Sequence, residues 1–201
     1  ANDGDVTALA GAMSLGQNAV LGVSMGTSEA AGFVDGAGRI TGWLNELAFA
    51  PVDYRPDGPR DEWSGDVGCG VQYFSQQAVG RLIPRAGLEI GEDLSLPEKL
   101  EAAQEEMAKG DERAAAIYET IGVYFGYALA HYADFYDFRH LLFLGRVSSG
   151  EGGRVIQEAS EKVLADSFPA LAEKISLSMP DEKMKRHGQA IAAASLPVLK
   201  G

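Results

Sequence analysis

Residues 25–36 read MGTSEAAGFVDG. Immediately before them, Asn18 to Met25 alternates enough to form a strand, and Gly26 to Ala31 is small and turn-like. Gly32 to Val34 leads into Asp35-Gly36, a hairpin turn signal, with a returning strand predicted near Arg39-Ile40. This stretch therefore opens a sheet with antiparallel strands, and it sets how the flanking segments are read.

On the N-terminal side, residues 5–14 read as a short helix with Asp5 as its N-cap. On the C-terminal side, residues 51–66 are rich in proline and acids and predict a long surface loop. From Cys69 the pattern turns helical through Tyr73, Ala78 and Leu82. Ser95-Leu96-Pro97-Glu98 has the form of a capping box opening a helix to about Lys109. A longer helix follows over 111–132, with Ile117, Ile121, Phe125 and Leu129 on its buried face. Leu141 to Leu144 reads as an apolar strand. A helix over 150–165 turns Val155, Ala159 and Val163 inward, and a strand carries Ile175, Leu177 and Met179. A last helix is predicted over about 181–194. Helix, antiparallel strands, long helices and then strand–helix–strand–helix describe an α/β fold, a mixed sheet flanked by helices.

The 201 residues are 46% hydrophobic, enough for a substantial core. The net charge of −12 disfavours phosphate backbones and anionic lipid, so neither nucleic acid nor membrane is expected as a partner. A lone cysteine forms no internal disulfide, which suits a cytoplasmic location. The longest apolar run, Ile121 to Ala130, is too short to span a bilayer. The chain opens without an initiator Met and runs at once into helix, as a piece of a longer protein would.

Several fragments, in their order, resemble the C-terminal half of ROK-family sugar kinases and regulators, within the actin-like ATPase superfamily. They are Ala1-Asn2-Asp3, MGTSEAAGFVDG, Gly42-Trp43-Leu44-Asn45-Glu46 and Leu142-Phe143-Leu144-Gly145-Arg146-Val147. The resemblance implies a ribonuclease H-like domain in which residues 1–201 are a single C-terminal lobe. Its partner lobe, with its own phosphate loop, would have to come from elsewhere, so this stretch alone is not expected to turn over ATP. The implied activity is ATP- and Mg²⁺-dependent phosphoryl transfer to a sugar or polyol hydroxyl. The resemblance assigns Asp3 as catalytic base, Asn2 and Glu46 as sugar contacts, and Gly26 and Thr27 as phosphate contacts. It gives Gly145 and Arg146 to the adenosine pocket. Each assignment has a plainer counterpart. Asn2-Asp3 suits helix capping, Glu46 an ordinary surface acid, Gly26-Thr27 a tight turn, and the glycines after Ser148 a flexible cap.

Where the family has a zinc knuckle, Cys-x-Cys-Gly-x-x-Gly-Cys with a His upstream, this chain reads Glu62-Trp63-Ser64-Gly65-Asp66-Val67-Gly68-Cys69, with Phe49 at the His position. One thiolate is a poor set for tetrahedral zinc, and no structural zinc is expected. Val71 stands where the family often has a sugar-binding Glu. Glu29 is expected to place a negative charge at the phosphate loop, to swing out to solvent, or to help hold Mg²⁺. These departures leave a second reading: a degenerate, non-catalytic relative that binds a sugar or a partner, possible homo-oligomer included. Asp53, Asp57, Asp61, Glu62 and Asp66 lack calcium-loop spacing and read as a solvated acidic loop. His131, His140 and His187 lack metal-ligand spacing, and Tyr124, Phe125 and Tyr127 read as packing or a subunit contact.

Overall fold

Four strands, β1 (Val20–Met25), β2 (Glu29–Val34), β3 (His140–Leu144) and β4 (Ser176–Ser178), form one sheet in the spatial order β2-β1-β3-β4. The computed structural model describes residues 3–41, 43 and 45–180, and of Asp3 only the backbone. The helix expected over 181–194 lies outside the described residues. β1 pairs antiparallel with β2 and parallel with β3, which pairs parallel with β4, so the sheet is mixed.

The hairpin differs from its sequence reading. Met25 pairs with Glu29, so the turn is only Gly26–Ser28, closed by the Gly26 amide donating to the Ser28 carbonyl at 3.0 Å. Residues 29–31 belong to the strand. The return strand expected at Arg39-Ile40 is a single bridge between Val34 and Ile40. Asp35 holds that second turn itself: Oδ1 accepts the amides of Ala37 and Arg39, each at 2.9 Å.

Alternation along the strands separates two layers. Val20, Val34 and Leu142 face α1 (Asp3–Leu15) and pack on Ala8, Ala10 and Ala12. Leu21, Val23, Ala31, Phe33, Leu141 and Phe143 face the opposite layer, the larger core. α1 can lie this close because Gly4 meets β2 backbone to backbone. A Cβ on Gly32 would stand 2.1 Å from the Gly4 carbonyl oxygen. The helix begins at Asp3, so Asp5 lies inside it and is not the N-cap.

The second layer holds α2 (Gln76–Ala86), α3 (Leu96–Ala108), α4 (Glu112–Tyr132) and α5 (Gly150–Ser167), followed by the short α6 (Pro169–Ala172). The helix expected from Cys69 is broken. Gly70–Gln72 is a 3-10 turn, and α2 starts afresh at Ser75, whose Oγ accepts from the Gln77 amide at 3.1 Å. α3 has the expected capping box, the Ser95 amide donating to Glu98 Oε2 at 2.8 Å. Ile117, Ile121, Phe125 and Leu129 of α4 are all fully buried, each such burial contributing about 1.5–3 kcal/mol. α4 packs on α5 at Gly122, where a Cβ would meet Ala159 Cβ at 2.7 Å. Ser160 Oγ donates to the Gly122 carbonyl there at 2.9 Å. Ile156, rather than the half-buried Val155, leads the inward face of α5.

Candidate functional site

Three segments converge at the C-terminal end of β1. The hairpin tip, Gly26–Ser28, is the first. The second is the turn after β3: Gly145 takes φ +118°, and its Cα is so close to β1 that a Cβ would stand 2.3 Å from the Met25 carbonyl oxygen. That same oxygen accepts the Val147 amide at 3.1 Å. The third is the start of α2, where the Gln76 amide donates to the Gly26 carbonyl at 2.9 Å. Gly26, Thr27, Gly145 and Arg146 are thereby brought together. Thr27, Ser28 and Arg146 are exposed at this end. The Arg146 carbonyl is fixed from behind by Gln104 Nε2 at 2.9 Å and Ser149 Oγ at 2.8 Å.

The start of α1 lies on the sheet nearby. Gly4 rests on Ala31 and Gly32; Ala31 is two strand positions, about 7 Å, from Glu29. The backbone of Asp3 is placed there by α1, while its side chain and the whole of Asn2 lie outside the described residues. Asn45, buried, ties the next segment to α1 by donating from Nδ2 to Asp5 Oδ1 at 3.3 Å. Glu46 follows it, exposed, and opens the 3-10 turn Leu47–Phe49. Gly42 and Leu44 lie outside the described residues.

Glu29 does not face this end, contrary to expectation. Its pairing with Met25 puts it on the core face of β2 with Ala31 and Phe33. It is buried, and neither carboxylate oxygen has a hydrogen-bond partner; the Tyr132 hydroxyl, also without one, is its polar neighbour. Burial pushes its pKa from 4.5 up to about 8, against a smaller downward pull from Tyr132. Gly70 makes room for it, since a Cβ there would meet Glu29 Oε2 at 2.3 Å. The period-two series Glu29, Ala31, Phe33 carries this signal, but small residues around it give the series the look of a turn. Gln76, wholly buried with both side-chain amide atoms unpartnered, is also unmarked by any pattern in the sequence.

Residues 62–69 form a tight turn beside one buried thiol. Gly68 (φ +72°) lets its carbonyl accept the amides of Val52 and Asp53 at 2.9 and 3.0 Å. A Cβ there would overlap the Asp53 carbonyl oxygen at 1.9 Å. Cys69 is buried with Ala48, Val71 and Phe49, and Phe49 packs on Trp63 with centroids 5.4 Å apart. Burial, then the charge of Asp61, raises the thiol pKa, the reverse of what a metal thiolate needs. Glu62 points to solvent, and no group of three or more His, Cys, Asp or Glu among the described residues is placed to hold a metal ion. These residues do not fit zinc. The acidic loop is also not simply solvated. Asp53 and Asp61 are buried, Asp61 accepting from the Ser64 amide at 2.8 Å and Asp53 from Arg55 Nη2 at 2.7 Å and the Tyr73 hydroxyl. His131 packs edge-on against Phe135 at 5.4 Å, and His140 Nδ1 lies 2.9 Å from Ser176 Oγ. His187 lies outside the described residues. Phe125 is core, Tyr124 packs at a tilt on Tyr73 with centroids 4.6 Å apart, and Tyr127 is exposed against Phe168.

No protein-family model matches the sequence, and no curated protein matches it significantly. Solved structures do. A ROK family transcriptional regulator, homolog of the E. coli MLC protein, superposes with TM-score 0.72 at 23% identity over 96% of this chain and 51% of its own. This chain has the fold of ROK proteins. The ROK hexokinase of Thermus thermophilus matches at TM-score 0.70 and 20% identity, over 96% of this chain and 63% of that one. The ROK family glucokinase of Streptomyces griseus, solved with glucose and AMPPNP, matches at 0.68 and 20%, over 96% and 65%. The chain thus spans about half to two thirds of the ROK structures it matches. No described helix is long and apolar enough to cross a membrane.

Proposed function

We propose that this chain is the C-terminal, ribonuclease H-like lobe of a ROK-like carbohydrate kinase. The observation that carries the reading is the inward turn of Glu29, which removes the hairpin's carboxylate from the tip. What remains at that end is Gly26, the exposed Thr27 and Ser28, and the Gly145-Arg146 turn stapled to Met25. Such a tip suits polyphosphate: backbone and hydroxyl donors without a competing negative charge. Thr27 would donate to phosphates, with Gly26, its amide and carbonyl already bonded to Ser28 and Gln76, shaping the turn that presents it, and Gly145 and Arg146 would line the nucleoside side. Mg²⁺ needs only one or two carboxylates beside the phosphates, so the missing acid cluster does not count against it. ATP, when bound, supplies the phosphoryl group. Asp3 would accept the proton of the attacking sugar hydroxyl, with Asn2 and Glu46 orienting its neighbours.

A second reading, binding of a sugar or partner without catalysis, is favoured by the apolar Phe49 and Val71, which fill the positions the resemblance gives to polar groups. The test uses the protein with its first lobe, assayed for sugar-dependent ADP release and for thermal stabilisation by a sugar panel. The kinase reading expects turnover that falls about 10²–10⁴-fold in Asp3→Asn with sugar binding kept. Sugar binding without wild-type turnover selects the second reading. Binding of neither sugar nor nucleotide overturns the kinase.

A further inference from the structure

Arg81 and Arg85 stand four residues apart on α2 and so share one helix face. With Arg55, Asp57 and Pro59 of the preceding loop and Thr120, Ile121 and Tyr124 of α4, that face encloses a cavity of about 250 Å³. Three arginines on one small cavity are unexpected in a chain of net charge −12. Their partners differ. Arg55 is paired with Asp53 through Nε and Nη2. Arg81 is half-buried, its Nη1 donating to Gln72 Oε1 at 3.1 Å and its Nη2 to the Gln72 carbonyl, and its guanidinium lies 5.4 Å from the centroid of the Tyr73 ring. Neither Arg81 nor Arg85 has a carboxylate partner among the described residues, and the acid on the cavity wall is Asp57. Burial lowers the Arg81 pKa, opposed by the Tyr73 phenol and reinforced by Arg85. Two guanidinium groups thus line one cavity, the half-buried Arg81 and the exposed Arg85, with no carboxylate bonded to either among the described residues.

We propose that this cavity binds a small phosphorylated metabolite, its phosphate bridging Arg81 and Arg85 and its body resting against Tyr124. Guanidinium forks match phosphate oxygens in pairs. The volume falls below the range of about 300–1,000 Å³ common for larger ligands, which suits a phosphomonoester rather than a nucleoside triphosphate. Walls from three elements enclose a small molecule better than an acidic peptide. Thr120 Oγ1 already donates to the Ala116 carbonyl at 2.7 Å, so it offers acceptor lone pairs to a ligand hydroxyl. The site is separate from the hairpin tip: Arg81 and Arg85 lie five and nine residues along α2 from Gln76, about 8 and 14 Å. It does not depend on the kinase reading.

The test is calorimetric titration of the protein with inorganic phosphate and with glycerol 3-phosphate at constant ionic strength. Saturable one-site binding is expected, weakened roughly tenfold or more in Arg85→Ser and in Arg81→Gln. It should be unchanged in Arg154→Ser, a surface arginine already paired with Glu151 and Glu158. Arg85 is exposed and bonds nothing among the described residues, so its variant keeps the test valid if Arg81→Gln unfolds. Absence of saturation, equal weakening in Arg154→Ser, or binding untouched by Arg85→Ser overturns the inference. Tighter, competing binding of a polyglutamate peptide would make the surface a protein contact instead.

Discussion

A carboxyl buried without a partner binds its proton more tightly in the folded chain than in the unfolded one. For Glu29 the folded value is about 8 against 4.5. Between these values the native state holds a proton that the unfolded state has released, so stability falls as pH rises, by about 1.4 kcal/mol per pH unit at most. The contribution is complete below about pH 4.5 and gone above about pH 8. Chemical denaturation of wild type and Glu29→Gln should therefore diverge with pH: similar near pH 5, the variant more stable by a few kcal/mol near pH 8.5. Parallel curves would place Glu29 in solvent. Asp53 has the opposite sign. Hydrogen bonds from Arg55, then from Tyr73, hold its pKa far below the usual value, outweighing its burial. Its stabilisation is present above the unfolded pKa and lost as pH falls through the folded one. Asp53→Asn should cost about 1–3 kcal/mol at neutral pH, discounted because Arg55 is more than half exposed. The penalty should shrink in acid, and an unchanged penalty at low pH would assign it to packing alone.

At the scale of elements, the turn after β3 bears most on the candidate site, and one atom position decides it. Gly145→Ala imposes φ +118° on a residue with a side chain and drives its Cβ to 2.3 Å from the Met25 carbonyl oxygen. We expect a loss of about 2–4 kcal/mol and of nucleotide binding together, because the turn can relieve the clash only by leaving the hairpin. Gly36→Ala, facing open space, is the control and should fall within about 0.5 kcal/mol of wild type. Equal effects in both variants would show that the turn and hairpin are not stapled. Elements with their own local signals are legible in the sequence. α3 announces itself by its capping box and α4 by its four-residue stripe, because capping and amphipathicity are written into neighbouring residues. β2 is only half legible, since Glu29, Ala30 and Ala31 have no β-branched or aromatic character; α1 and the pairing with β1 make them strand. The break between Gly70–Gln72 and α2 is hidden for a similar reason: Ser75 caps only once its hydroxyl has met the Val71 carbonyl at 2.6 Å.

For the whole molecule, the order of the described helices and strands is largely readable from the residues, and so is the poor zinc donor set at residues 62–69, but not what ties that loop. The 51–69 loop is held by backbone bridges from Pro51 to Cys69 and from Arg60 to Val67, by buried Asp53 and Asp61, and by the packing of Phe49 on Trp63. These contacts join residues far apart in sequence, which no local pattern encodes. Acids with the look of solvent ornaments become internal struts only when Tyr73 and Gln72 arrive from the following segment. A loop tied this way should need no ion. Thermal unfolding should give the same Tm in excess chelator and in excess zinc, because a metal stabilises only by binding the native state in preference to the unfolded one. Phe49→Ala should lower Tm instead, by removing the ring that packs against the Cys69 cluster and touches the exposed Trp63, at a cost of about 2–4 kcal/mol given that Phe49 is only partly buried. A rise in Tm with zinc, abolished by Cys69→Ser, would show that the thiol is a ligand after all and that the aromatic packing is secondary.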